Sequence, residues 1–342
     1  MDDKAIPAYR FPSTVLVIDD DATFLTNLSL ELDEGLAYRL FDSPRAALEH
    51  LQRREDDVRP YQRCLHQHRE SVGWPIRDHL QCEDVAALQE VVTDPKRFSE
   101  ISVVVVDYVM PGMNGLELCQ HISNPDIRKI LFTGVGDEKV AVEGFNKGLI
   151  DRFIRKGWHN VAADLNQSIK ELQAQHFQDA TRLLQQSLDG DEAAFLQDPV
   201  FIYHFERLCE EYRLVEHYQL SEPNGFLLIS DDGRPHRLVV LTDEDLQVHR
   251  EVIRDQGGPE PLLDKLASGS VVPYFWRSAG YYRPECLDWE NSLYPAKVLC
   301  GAQRYYLALI DEPPLYRKLG WQIASYRSFL DELDATLEVP SV

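Results

Sequence analysis

The chain has 342 residues, 44% hydrophobic and 27% charged, a globular balance with room for two domains that each bury a core. A formal net charge of −22 argues against a protein whose main task is gripping a nucleic-acid backbone, which calls for basic surface. Residues 1–10 hold no apolar signal-like core, no apolar run is long enough to cross a bilayer, and the six cysteines contain no CxxC pair, so a cytoplasmic protein with reduced thiols is expected.

The clearest strands are continuous apolar, β-branched runs at 13–18 and 101–106, with shorter ones at 129–132 and 149–154. Such runs fit strands buried on both faces. Helical patterns at 21–32, 44–52, 115–122 and 138–147 alternate with them, which predicts a doubly wound α/β domain with a parallel sheet. Residues 53–99 are polar and mixed and read as an insertion with short helices, one near 85–92 closed by Asp94-Pro95. A helix without internal Pro or Gly follows from 160 to about 188, serving as last helix and linker. Its apolar positions, Leu165, Ile169 and Leu172, then Phe177, Ala180, Leu184 and Leu188, form two sets one residue out of phase. Pairing with a second copy and packing on its own domains both account for that pattern.

Residues 190–342 read as an α+β domain, with helices at 199–212, 243–255, 261–267 and 315–337. Strands are expected at 225–230, 236–241, 270–276, 296–300 and 304–310. Asp231-Asp232-Gly233 and Gly301-Ala302-Gln303 read as hairpin turns.

In a doubly wound sheet, ligands sit beyond the carboxyl ends of the strands. Asp19 and Asp20 end the first strand, Asp107 the second, Thr133 the third, and Lys156 follows the fourth. Three crowded carboxylates call for a cation, and hard oxygen donors suit Mg²⁺. A carboxylate nucleophile, a divalent cation, a hydroxyl and an ammonium are the parts for phosphoryl transfer onto aspartate.

The ordered set VLVIDD at 15–20, VVDYVMPGMNG at 105–115, LFTG at 131–134 and FIRK at 153–156 closely resembles the receiver domain of two-component response regulators. The resemblance covers 13 to about 172 and implies a doubly wound receiver fold with a five-stranded parallel sheet, one strand more than the apolar runs mark. It implies a phosphorelay protein in which Asp107 accepts a phosphoryl group from a sensor histidine kinase or phosphotransfer protein. It further implies Mg²⁺ held by Asp20 and Asp107, with Asp19 acting through water and the Val109 carbonyl as a ligand. Thr133 and Lys156 would bind the phosphoryl oxygens, and Phe153 matches the aromatic switch position paired with Thr133. Gly157 stands where the family usually has Pro, and the insertion lengthens the separation of Asp20 from Asp107. Val109 and Val135 flank the expected path of an attacking water; being apolar, they predict a long-lived phospho-form.

Other signals are weaker. Cys64, His66, His68, His79 and Cys82 in the insertion match no standard zinc spacing and read as polar surface. Cys119 falls on a core-facing helix position. His204, His217, His236 and His249 are scattered without catalytic partners, and the aromatics at 274–276, 281–282, 289 and 305–306 read as core. The second domain lacks GG(D/E)EF, EAL, HD-GYP and P-loop motifs, so no enzyme activity beyond self-phosphorylation and autodephosphorylation is expected. It carries 14 Lys and Arg against 26 Asp and Glu, a net of −12, which disfavours DNA as the target. An unidentified protein partner, with dimerisation, is the leading output. A small-molecule sensor or unrecognised enzyme is the alternative, since the 225–233 hairpin faintly resembles a PAS-type strand pair; a DNA-binding regulator comes third. The long insertion, the 146–156 segment and the unassigned output also resemble the Lqs-type quorum-sensing regulators.

Overall fold

The computed structural model describes residues 5–55, 88–134, 138–157, 159–185, 194–220, 223–278 and 280–336. After a short strand β1 (Tyr9–Arg10), the chain runs β2 (Thr14–Ile18), α1 (Ala22–Ser29), β3 (Tyr38–Phe41), α2 (Pro44–Glu55), β4 (Ile101–Val106), α3 (Gly115–His121), β5 (Arg128–Thr133), α4 (Glu138–Asn146), β6 (Arg152–Arg155) and α5 (Val161–Gln185). Strands β2 to β6 form a five-stranded sheet in the order β3-β2-β4-β5-β6, parallel throughout.

The apolar runs are continuous because both faces of this sheet are covered. Leu16, Ile18, Val104 and Val106 point to one core with α2 and α3. Val15, Val17, Val103 and Val105 point to the other, with Leu25 and Leu28 of α1 and Leu165, Ile169 and Leu172 of α5. Cys119 is buried in the first core, where lack of water pushes its thiol up to about 12. Of the insertion, a helical stretch at 88–93 and a 3₁₀ turn at Pro95–Ser99 are described. Cys64, His66, His68, His79 and Cys82 lie outside the described residues.

The second sheet is antiparallel. Helix α6 (Pro199–Glu211) leads into β7 (Leu214–Leu220), β8 (Gly225–Ser230) and β9 (Pro235–Thr242), then α7 (Asp243–Asp255) and α8 (Glu260–Ala267). Next come β10 (Val271–Pro273), β11 (Leu293–Pro295), β12 (Lys297–Cys300), β13 (Arg304–Asp311), α9 (Pro314–Leu319) and α10 (Tyr326–Thr336). Six strands lie in the order β1-β7-β8-β9-β13-β12, and β10 pairs with β11 apart from them. Alternate side chains serve opposite faces. Leu238, Val240, Tyr305 and Leu307 meet α6, while Val239, Leu241, Tyr306 and Ala308 meet α7 and α8. Tyr274, Phe275 and Tyr282 are core, as the aromatic reading expected.

Two expectations are corrected here. The helix expected at 315–337 is two helices, because Gly320 adopts a left-handed backbone (φ 66°) that caps α9 and turns the chain. The strand expected at 270–276 covers only Val271–Pro273 and pairs with β11 in a separate two-stranded sheet.

The compact units also differ from a cut at residue 190. One unit takes the described residues of 1–11, 67–94 and 181–326; the other takes those of 12–66, 95–180 and 327–342. Strand β1 is thus an edge of the antiparallel sheet, pairing Tyr9 with Tyr218. Helix α10 belongs with the parallel sheet, where Phe329 packs on buried Phe98 with ring centres 5.4 Å apart.

Candidate phosphoacceptor site

Strand register brings the motif residues together. Ile18 sits beside Val106, and the Asp107 N–H donates to the Ile18 carbonyl at 2.9 Å, so Asp19 and Asp107 leave adjacent strand ends. Thr133 ends β5 beside Arg155, and the Lys156 N–H donates to the Thr133 carbonyl at 2.9 Å. The sheet order reverses between β2 and β4, which opens the crevice at this edge.

Lys156 joins the carboxylates. Its ammonium bonds Asp19 Oδ2 and lies 2.7 Å from Asp107 Oδ1. The remaining oxygens are also held: Asp19 Oδ1 accepts from the Asp21 N–H at 3.0 Å, and Asp107 Oδ2 from the Val109 N–H at 2.7 Å. Asp19 and Asp107 are buried and Asp20 is exposed. Burial raises the Asp19 carboxyl above its ordinary range against the opposing pull of Lys156. Burial alone would lower Lys156, but the bonds from Asp107 and Asp19 outweigh it and raise the ammonium. The Phe24 ring lies under the same ammonium at 4.3 Å.

Local sequence explains why these side chains hold their places. Asp21 caps α1 by accepting from the Thr23 and Phe24 N–H groups at 2.9 and 3.0 Å, which fixes the loop carrying Asp19 and Asp20. Beyond Asp107, Asn114 and Glu117 form a capping box at the start of α3. Gly115 lies so close beneath that a Cβ would stand 2.3 Å from the Asp107 carbonyl oxygen. Nothing crowds Gly157, and Lys156 reaches both carboxylates without the proline common in the family. Thr133 is fully buried, and Phe153 packs against the core beneath the site. Val109 is 67% exposed. Val135 lies outside the described residues. Phe24 and Asp21 contribute to the site although the motifs did not single them out; their place just after VLVIDD was the available signal.

For a divalent cation the donors are Asp19, Asp20 and Asp107, all hard carboxylate oxygens at one strand edge. Among the described residues no three Asp, Glu, His or Cys side chains already converge as a cage. Mg²⁺ keeps several waters and needs only one or two carboxylates, so this donor set fits it.

Two of the described histidines are held neutral by burial. His217 is buried and bonded to the Pro7 carbonyl at 3.0 Å, and burial lowers it to about 3. Burial lowers His249 to about 4, and its ring stacks on Tyr281.

The site and the parallel sheet are those of a receiver, and the chain belongs to the response-regulator family. The family model for the response regulator receiver domain matches residues 69–170, which include Asp107, Thr133, Phe153 and Lys156; Asp19 and Asp20 precede the match. Over almost its whole length the chain is similar to the Legionella pneumophila response regulator LqsR, with 36% identity, a TM-score of 0.75, and coverage of 98% of this chain and 99% of that one. A response regulator receiver domain from Clostridium thermocellum matches at 19% identity and TM-score 0.32, covering 50% of this chain and 98% of its own. A CheY-like receiver from Methanospirillum hungatei matches at 19% and 0.31, covering 49% and 98%. No curated protein sequence matches. No helix among the described residues is long and apolar enough to cross a membrane.

Proposed function

We propose that the chain is the phosphorylated switch of a phosphorelay serving quorum sensing, with Asp107 as acceptor. The observation that carries this reading is the bridge of Lys156 between Asp107 and Asp19 at the edge where β2 and β4 part. A carboxylate oxygen of Asp107 attacks the phosphorus of a phosphohistidine on a sensor kinase or phosphotransfer protein. The P–O bond forms as the P–N bond breaks, and the electron pair returns to the imidazole. Lys156 and Thr133 then bind the new phosphoryl oxygens. Mg²⁺, held by Asp20 and Asp107 with the Val109 carbonyl and with Asp19 through water, supplies neutralising charge when bound.

The new anion binds one arrangement of Thr133 better than the other, and Phe153 follows into the space that Thr133 leaves. Phosphorylation therefore moves a two-state equilibrium by its differential affinity. The acidic second unit carries the output through a protein partner, and dimerisation accompanies the switch. No acid or base side chain at Val109 can orient a hydrolytic water, which supports a slowly lost phosphate.

The test is incubation of purified protein with acetyl phosphate and Mg²⁺, followed by separation of the phosphorylated form. Asp107→Asn should take up nothing, and wild type should hold its phosphate well beyond seconds. Equal uptake by both proteins would remove Asp107 from the reading, and loss within seconds would remove the long lifetime.

A further inference from the structure

The Lys156 side chain is anchored by charge, while the backbone after it is left free. Its ammonium bonds Asp19 Oδ2 and Asp107 Oδ1. Gly157 follows, with nothing within 4 Å of where a Cβ would stand, so neither packing nor a side chain restrains the turn. Both anchors have other roles in the proposed transfer. Asp107 is the nucleophile, and the same carboxylates are donors for a divalent cation. A lysine held by them alone is loosened as either is engaged elsewhere.

This ammonium also has aromatic contacts, which involve no anion. The Phe24 ring centre lies 4.3 Å from Lys156 Nζ, well inside cation–π range, and the Phe132 ring stands at 6.0 Å, near its limit. A phenyl ring competes for neither metal nor phosphoryl group, so the Phe24 contact persists when the carboxylates change partners. Lys156 is 21% exposed and Phe24 half-buried, which partly shields the contact from water and strengthens the attraction to the ring face.

The ring is itself held on two sides. The Phe24 N–H donates to the capping Asp21 Oδ1 at 3.0 Å, and the Asp21 N–H donates to Asp19 Oδ1 at 3.0 Å, so one turn places both Phe24 and Asp19. Phe24 also packs on Phe132, the residue before Thr133, with ring centres 5.9 Å apart. Core packing alone does not account for this position. Leu25 and Leu28 of α1 sink into that core at 2% and 4% exposure, whereas Phe24 stays at its rim with its ring beneath the ammonium.

We infer that Phe24 is a positioning residue of the phosphoacceptor site, whose ring keeps the Lys156 ammonium at the strand edge while the charges on Asp19 and Asp107 change. The hold on Lys156 rests on geometry alone; its effect on rate rests on Asp107 being the acceptor, as proposed above. Holding the ammonium in place before transfer removes the cost of ordering a long, flexible side chain during it, and an ordered cation is what developing phosphoryl charge requires.

Two measurements on the full-length chain test this. Thermal melts without Mg²⁺ or phosphodonor compare wild type, Phe24→Leu, Lys156→Gln and the double variant. Phe24→Leu should lower the melting temperature by about 2–4 °C more in wild type than in Lys156→Gln, because only the former has an ammonium for the ring to hold. Uptake from acetyl phosphate is then followed across a range of Mg²⁺ concentrations. Phe24→Leu should be about three- to tenfold slower at saturating Mg²⁺, and Phe24→Tyr, which keeps the ring face, should match wild type. The Mg²⁺ concentration for half the maximal rate should not rise, whereas damage to the turn carrying Asp19 and Asp20 would raise it. An equal loss of melting temperature in both backgrounds would make Phe24 a packing residue only and overturn the proposal. So would a Phe24→Leu rate equal to wild type, a raised Mg²⁺ requirement, or a Phe24→Tyr rate as slow as that of Phe24→Leu. Uptake by none of the proteins, wild type included, would count against Asp107 as acceptor, and the melting cycle would still decide whether Phe24 holds Lys156.

Discussion

Replacing Lys156 by Met keeps the length of the side chain and removes the one cation bonded to both Asp19 and Asp107. The side chains of Asp19 and Asp107 are only 4% and 7% exposed, so their charges are left facing each other with little water. Breaking a buried pair by deleting one partner costs about 3–5 kcal/mol. Lys156 itself is 21% exposed, so some of its charge is already screened and about 2–3 kcal/mol is the fitting expectation. For a unit of this size that lowers the melting temperature by about 5–10 °C. Mg²⁺ should then restore more stability to the variant than to wild type, because lysine and metal neutralise the same carboxylates and binding to the folded form stabilises by mass action. Thermal melts of both proteins with and without Mg²⁺ read this directly. An unchanged melting temperature without metal, or an equal gain from Mg²⁺ in both proteins, would refute the shared-charge argument.

Gly115→Ala places a methyl 2.3 Å from the Asp107 carbonyl and should cost about 1–3 kcal/mol in overpacking, with slower phosphorylation from acetyl phosphate; a variant as stable and as fast as wild type counts against the close approach. His217 and His249 are held neutral to about 3 and about 4, whereas an unfolded chain protonates them below about pH 6.5. Acid therefore favours the unfolded state across that window, by about 1.4 kcal/mol per imidazole at about pH 5.5. Melts from neutral to mildly acid pH should show the decline, and His249→Phe should reduce it; an unchanged slope in that variant would discard the cause. Maleimide at neutral pH should modify exposed Cys300 before Cys119, whose thiol is pushed up to about 12; Cys119 labelled first would contradict its burial.

The parallel sheet was legible because burial on both faces writes itself as uninterrupted Val and Ile, and the site because its residues stop those runs. Strand β3 left no such mark. Tyr38–Phe41 is an edge strand whose four side chains are all half-buried, so Arg39 interrupts its apolar run. Strand β7 was missed for a related reason: Glu216 and His217 look like loop residues but are buried and satisfied, Glu216 by the Tyr218 hydroxyl at 2.9 Å and His217 by the Pro7 carbonyl. The helix expected at 315–337 failed at one residue, since a glycine within a periodic pattern does not say whether the helix tolerates it or ends there. The Lys156 bridge could be placed near the carboxylates but not onto them, because strand register decides which neighbours meet.

The least legible feature is the exchange of chain ends. A cut at residue 190 looks natural in sequence, yet the antiparallel unit contains Ile6 and Tyr9, at 5% and 2% exposure, and draws hydrogen bonds from their segment. The Ile6 N–H donates to the Leu196 carbonyl at 2.9 Å and the Gln219 N–H to the Ala8 carbonyl at 2.7 Å. Fully burying two such side chains is worth about 1.5–3 kcal/mol each, before the hydrogen bonds and the Pro7 contact to His217 are counted. Deleting residues 1–11 should therefore cost the second unit at least about 3 kcal/mol while leaving every phosphoacceptor residue in place. The decisive measurement is the melting of the 12–342 chain alongside its phosphorylation by acetyl phosphate. Loss of stability with phosphorylation retained is the expected pair of results. A 12–342 chain that melts like the full-length protein would mean that β1 contributes nothing, and a fragment cut at 190 would then be a fair isolate of the output.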